Sequence, residues 1–261
     1  MFVKNLFATN MFVTVDGMTG HSDTPRSDTP RSRRERPAKP ALTRAGIIAA
    51  AVEIMRDEGL RRVTMRRLAE ELDTGPASLY VYVRNTAELH AAILDELLGA
   101  VDLGPVRAEG DWRERLEAVL TSCVTVLLEY PGLAQSALVA RPSGTHYLAL
   151  IEALLALLDE GGVPAGQAAW GVDLLLQYAT ATAAEHAAGD RAADTRQEWD
   201  AFTRALRGVS GRTHPHIAAL AGDLLSGPPP ARLSWGFHML INGISHTPRP
   251  ETDASSEISP G

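Results

Sequence analysis

The residues best spaced for chemistry lie in "GLRRVTMRRLAEELDTGPASLYVYVRNTAEL", residues 59–89. Thr64 and Arg66 sit at the front of one short apolar-periodic piece. Ser78, Tyr80 and Tyr82 sit on a second. These hydroxyls and a guanidinium suit hydrogen bonding and ion pairing to phosphate oxygens, not bond-making. Ala77, Ser78, Val81 and Tyr82 make an outward face small enough for a major groove about 12 Å wide. Leu79 and Val83, four apart, anchor the opposite face. Tyr80 can donate its hydroxyl to a phosphate.

The elements that position these side chains are helices. Thr43 is a good N-cap for a helix over 44–58, with Leu42 and Ile47 placed as a hydrophobic staple and Gly59 as its stop. Thr64 caps a second helix over 65–72, with Leu68, Ala69 and Leu72 inward. Pro76 opens a third over 76–83, where its missing N–H costs nothing. Asp73 lies in the turn between them and must tolerate a left-handed backbone. A fourth helix spans 86–100. Further helices are expected at 111–129, 132–140, 145–160, 164–188, 196–208, 215–225 and 231–245, separated by "EGGVPAG", "SGPPPA" and similar breaks. Nothing alternates as a strand. The fold class expected is all-α: a three-helix helix-turn-helix unit at 42–88, then a larger helical bundle at 89–245.

Residues 1–41 and 246–261 read as disordered ends. The first contains "SDTPR" twice, then "SRRERPAKP", and carries Arg26, Arg31, Arg33, Arg34, Arg36 and Lys39. Such composition cannot bury enough surface to fold. It is either a solvated tail or a basic arm for DNA phosphates or a minor groove.

Charge separates along the chain. Net charge is −7 overall, but residues 1–90 sum to +3 and residues 91–261 to −10. Any nucleic-acid contact therefore belongs to the N-terminal end. The single cysteine, Cys123, excludes an internal disulfide and fits a reducing cytoplasm. It sits in an apolar run, so it reads as a buried thiol; a redox switch would need a basic neighbour that is not visible. No uncharged run of 18 apolar residues suggests a membrane span. Two histidines in "RTHPH" are a weak metal signal, better explained by a helix starting at Pro215, so no metal or cofactor is expected.

The stretch 59–89 resembles the DNA-binding domain of TetR-type (TetR/AcrR) transcriptional regulators. The matching positions are Thr64, Arg66, Leu68, Ala69, Leu72, Leu79, Tyr80, Tyr82, Val83, Asn85 and Leu89, and the likeness runs without a gap over about 43–98. The resemblance implies that helix 76–83 reads DNA, with Pro76, Ala77, Ser78 and Tyr82 facing bases. It implies phosphate contacts from Arg44, Thr64, Arg66 and Tyr80. Two positions depart from the pattern: Asp73 replaces a usual glycine, and Thr86 a usual lysine, for which Arg84 or the N-terminal arginines compensate. With no Asn, Gln or Arg on the face, base reading leans on thymine methyls and DNA shape.

Past residue 100 the likeness is to the tetracycline-repressor subgroup. Residues 162–187 resemble its long dimer-packing and pocket-lining helix, and "LVARP" (138–142) a loop of the same subgroup. Ala137 stands where those repressors have a metal-ligating histidine, which argues against a tetracycline–magnesium ligand. On helical spacing, Trp170, Leu174, Tyr178, Ala181 and Glu185 share a stripe that is either a pocket wall or ordinary core. Gln177 and Asp173 lie on a neighbouring stripe, and His146, Tyr147, Trp112, Trp199 and Phe202 are further candidates. The expected ligand-binding set is Trp170, Leu174, Gln177, Tyr178 and Glu185. The resemblance makes this helix and the last one a homodimer interface, hence a near-palindromic double-stranded DNA operator.

The function expected is a cytoplasmic, homodimeric repressor released from its operator by a small hydrophobic or amphipathic effector. The alternative is a ligand-independent DNA-binding regulator controlled by a protein partner. A helical enzyme using Glu185 and a histidine would leave the helix-turn-helix unexplained.

Overall fold

Short polar caps and glycine stops cut this chain into its helices. The computed structural model describes residues 41–138, 142–188 and 192–250. The expectations for most of the N-terminal segment, for residues 139–141 and for 251–261 lie outside the described residues. Among those described there are eleven α-helices and no strand.

Helix α1 (Arg44–Glu58) starts where Thr43 Oγ1 accepts the Gly46 amide at 3.1 Å and stops at Gly59, whose φ of 86° only glycine adopts readily. A 3₁₀ turn, Leu60–Arg62, leads to α2 (Met65–Glu71), capped by Thr64 Oγ1 accepting from Arg67 N at 3.1 Å. Buried Ile47, Ala51, Ile54 and Met55 of α1 meet buried Leu68 and Ala69 of α2.

The turn after α2 is a Schellman motif. Thr74 N donates to Ala69 O at 2.9 Å and Asp73 N to Glu70 O at 3.2 Å. Closing it requires a left-handed residue, and Asp73 supplies one with φ 47°. Helix α3 (Pro76–Leu79) is shorter than the 76–83 expected. After Leu79 the chain tightens: Tyr82 N bonds Leu79 O at 2.9 Å, an i to i+3 turn. Leu79 and Val83 nonetheless point inward and are fully buried, as their spacing requires.

Helix α4 (Thr86–Leu98) begins at Asn85, whose Oδ1 accepts from Glu88 N at 2.8 Å. It packs against α1 on one side. On the other it meets α5 (Trp112–Glu129), α6 (Pro131–Ala137) and α7 (Thr145–Glu160). Asp95 of α4 receives the Tyr147 amide at 2.9 Å, capping the first turn of α7. Gly144 permits this, because a Cβ there would collide with the Asp95 carboxylate.

Helix α8 (Ala165–Ala188) is the bundle's central element, packed on α5, α6, α7 and α11 (Pro229–His246). Phe237 and Ile241 of α11 are fully buried, with Phe237 edge-on to Tyr178 at 5.4 Å. Arg115, buried on α5, pairs with Glu160 and donates to the carbonyls of Val106 and Ala108, pinning the 104–107 turn. Helices α9 (Ala192–Arg207) and α10 (Pro215–Leu224) pack on each other.

Because Asp73 bears the left-handed strain, substitution there has a definite sign. Asp73→Val is expected to lower stability by about 1–2 kcal/mol, as a β-branched residue fits that conformation worst. Asp73→Gly is expected to hold or raise stability, by at most about 1 kcal/mol. Urea unfolding followed by circular dichroism measures both.

Candidate nucleic-acid interface and cavity

The turn at Asp73 sets the angle between α2 and α3, and the angle exposes α3. Pro76, Ala77 and Ser78 are solvent-facing, while Leu79 beneath them is buried. Tyr80 follows, half-exposed, and Val81 is largely exposed. The resulting ridge is narrow and uncharged. Thr64 borders it from the front of α2, its hydroxyl already accepting the Arg67 amide but still able to donate.

Tyr82 differs from the other members of the expected base-facing set. It is partly buried, and its hydroxyl donates to the Leu42 carbonyl at 2.8 Å. A donor committed to backbone does not point at a base edge. The same bond fixes the chain just before α1 against the end of the α3 turn.

The cations around this ridge are paired. Arg66 lies 3.1 Å from Glu70, and Arg84 lies 3.1 Å from Glu88. Both guanidiniums are largely exposed, and such i, i+4 pairs are worth only about 0.3–0.5 kcal/mol. Exchange of either carboxylate for a phosphate therefore costs little. The Arg84 amide, then its guanidinium, and more weakly Arg44 hold Glu88 below the usual carboxylate range. Arg44 and Arg84 thus flank one carboxylate, and Arg44 is exposed on the first turn of α1. Arg67 is different: it sits between Glu58 at 2.6 Å and Glu71 at 2.8 Å, tying α1 to α2. Those bonds raise its pKa and lower that of Glu58.

Deeper in the chain, a cavity of about 330 Å³ lies between α4 and α8. Leu94 and Leu98 of α4, Cys123 and Leu127 of α5, and Tyr147 and Leu150 of α7 form its apolar side. Ala137, Leu138 and Pro142, with Leu176 and Ala181 of α8, complete the apolar lining. Asp173, Gln177 and Thr180 of α8 add polar atoms, with the Gln177 amide donating to Asp173. That volume and mixture suit a small amphipathic molecule.

The five residues expected to bind ligand do not converge here. Gln177 lines the cavity. Trp170 and Leu174 instead line an open groove of about 350 Å³ with Met239, Leu240 and Ile244 of α11, where the Arg249 guanidinium lies 5.0 Å from the Trp170 ring. Tyr178 packs on Phe237, with its hydroxyl against Gly236. Glu185 is exposed and lines neither. The aromatic stripe and the cavity-facing stripe differ by roughly 100° of helix rotation, one residue's turn. The stripe picked out by large side chains faces α11.

Of the further candidates, Tyr147 lines the cavity, whereas His146 bonds the Asp95 carbonyl at 3.0 Å. Trp112 abuts Gly161, and Trp199 lies 5.7 Å from Phe202, both exposed on α9. Leu94, Leu98, Cys123 and Leu127 had no sequence signal as lining residues. An apolar cavity wall has the same helical period as solid core.

Comparison with known proteins follows the same division of the chain. Residues 47–93 match the family model described as bacterial regulatory proteins, tetR family, and residues 104–247 match that of the tetracyclin repressor-like C-terminal domain. The HTH-type transcriptional repressor DrrR1 of Streptomyces coeruleorubidus is 30% identical over 213 residues, which cover 79% of this chain and 78% of that protein. Against another curated HTH-type transcriptional regulator the match spans about half of that protein's length, 52%. Among solved structures, a Streptomyces coelicolor protein described as a transcription regulator is 57% identical, with a TM-score of 0.70, covering 82% of this chain and 100% of that one. ActR of Streptomyces coelicolor, solved in complex with actinorhodin, is 32% identical with a TM-score of 0.68, covering 78% and 97%.

Burial pushes the Cys123 thiol up to about 12, from an ordinary value of 9.0. Near neutral pH the native thiol therefore stays protonated. A thiol-reactive chromophore is expected to label native Cys123 very slowly and urea-unfolded protein at an ordinary rate. The unfolded thiol ionises first, so this group's stability contribution is complete below pH 9 and is lost as pH rises from there towards 12.

Proposed function

The chain belongs to the tetR family of bacterial regulatory proteins, and on that premise we propose that it is a homodimeric repressor, released from a near-palindromic operator by a small amphipathic molecule. In this reading residues 42–88 recognise DNA and residues 89–245 hold the ligand and the dimer contact. The observation that carries it is the juxtaposition of the solvent-facing α3 ridge with a cavity whose wall includes the next helix, α4.

Pro76, Ala77 and Ser78 meet the bases, with thymine methyls and groove shape supplying the specificity their chemistry allows. Thr64, Arg66, Tyr80, Arg84 and Arg44 bond phosphates. Dimerisation uses α8 and α11, whose Trp170, Leu174, Trp235 and Met239 leave apolar surface exposed. A two-fold axis there would set two α3 ridges on successive major grooves.

The effector enters between α4 and α8, against Gln177, Asp173, Thr180 and Tyr147. That ActR was solved in complex with actinorhodin supports a small-molecule effector. A ligand wedged against Leu94 and Leu98 would favour a different position of α4, and α4 carries that difference to α1. A differential affinity of about 1–3 kcal/mol between the two positions is the usual size of such coupling.

Selection of bound DNA from a random pool is expected to enrich a two-fold-related sequence. Tyr80→Ala should weaken binding to every sequence alike, whereas Ser78→Ala should change the enriched sequence. Recovery of random DNA by the wild-type protein would reject the proposal. For the cavity, a compound present at a hundred times its Kd should stabilise the fold by about 2.7 kcal/mol, read as a rise in Tm. Gln177→Ala should reduce that rise, and the same compound should release the selected DNA. A compound that raises Tm but leaves DNA bound would separate ligand binding from repression.

A further inference from the structure

Most helices of this chain begin on their own cap, but α7 borrows one. Its N-cap is Gly144, which has no side chain to offer the first-turn amides. The Tyr147 amide, on the third helical residue, is the one a capping serine or aspartate would bond. Asp95 Oδ1 of α4 accepts it instead, at 2.9 Å. The reverse also holds. Asp95 lies in the last turn of α4, and Gly99, which would bond its carbonyl in a continuing helix, donates to Glu96. His146 Nδ1, on the first turn of α7, donates to that Asp95 carbonyl at 3.0 Å. A carboxylate at a helix start and a ring N–H at a helix end are both favoured by the helix dipole. The two helix ends thus cap each other, with one side chain apiece.

Two glycines admit this exchange. A Cβ on Gly144 would strike the Asp95 carboxylate, and a Cβ on Gly99 would stand 3.0 Å from His146 Nε2. Neither backbone is left-handed, with φ −84° at Gly144 and −61° at Gly99. Both glycines therefore serve close approach rather than a turn. The clasp also borders the cavity. Leu94, next to Asp95, and Tyr147, whose amide Asp95 holds, are both in the cavity wall. Leu98 and Leu150 line it one turn further along each helix. A molecule lodged between these pairs pushes α4 and α7 apart. A bond of 2.9 Å is lost within less than ~1 Å of such movement.

We propose that this reciprocal clasp couples the cavity to the reading unit: closed, it holds α4 where α3 can meet DNA, and a molecule in the cavity opens it and releases DNA. The inference rests on the repressor reading above. It makes Asp95 and His146 positioning residues, since neither lines the cavity or lies on the α3 ridge. Coupling of this kind is reciprocal, so DNA must in turn tighten the clasp.

The test needs no effector; it uses the full chain and the DNA obtained by selection. Asp95→Ala and Gly144→Ala should each weaken binding to that DNA roughly tenfold, about the worth of one charge-assisted hydrogen bond. The double variant should bind no more weakly than Asp95→Ala alone, because the alanine at 144 then has no carboxylate to strike. Two independent structural defects would multiply instead. Saturating DNA should slow hydrogen exchange over residues 145–148 in the wild-type protein and not in Asp95→Ala, a linkage that a purely structural cap would not show. Undiminished affinity in either single variant would overturn the proposal, as would a double variant weakened by the product of the two. Exchange at 145–148 indifferent to DNA would overturn it as well. In each of those cases the wild-type protein still selects a two-fold-related sequence, and the repressor reading stands. If the wild-type protein selects no DNA at all, the repressor reading falls and the role of the clasp with it.

Discussion

The whole arrangement depends on α4 being buried on two sides. Leu89, Ala92, Ile93, Leu94, Leu97 and Leu98 are all buried, nearly half of a thirteen-residue helix. Each such leucine or isoleucine stabilises the fold by about 1.5–3 kcal/mol. Some of that burial is against α1 and some against α5, α6 and α7, so the reading unit and the bundle share one hydrophobic core. Asp95 adds a directional bond, holding the first turn of α7 from the side of α4. The cavity lies along the same helix, with Leu94 and Leu98 in its wall. A core packed to crystal-like density transmits strain, so a shift of α4 would be felt by α1 and by α5, α6 and α7 alike.

Electrostatics in the N-terminal unit obey a second constraint. Adjacent arginines 66 and 67 look equivalent in sequence and are not equivalent in space. Arg67 is clamped by carboxylates from α1 and α2 and belongs to the scaffold. Arg66 makes one exposed pair with Glu70 that water and salt already weaken. The unit thus holds itself together with some of its charges and keeps others exchangeable. The cost is a reading unit, residues 42–88, with no net charge, so that its exchangeable pairs are the cations it can offer to another partner.

Much of the fold was legible because its signals are local. Thr43 and Thr64 cap the helices their positions suggest, Gly59 stops α1, and Pro76 starts α3. The buried stripes of α1, α4 and α11 follow the 3.6-residue period. Asp73 takes the left-handed conformation that the turn demanded of it. The end of α3 was less legible. Tyr80 to Val83 are compatible with helix, but the chain there tightens into a turn, and the Tyr82 phenol reaches back to Leu42 across forty residues.

The sequence by itself determined the helices, their caps, the turn that exposes Pro76, Ala77 and Ser78, and the division of charge between the two ends of the chain. Those properties arise within a few residues of each other, or from composition. Only the tertiary structure decided which stripe of α8 faces the cavity, that Trp170 and Leu174 lie on an outer groove, and that Tyr82 bonds backbone. Helical periodicity states which side chains share a face. It cannot state which neighbour that face meets, because that depends on the packing of helices distant in sequence, and a rotation of one residue moves every side chain by about 100°.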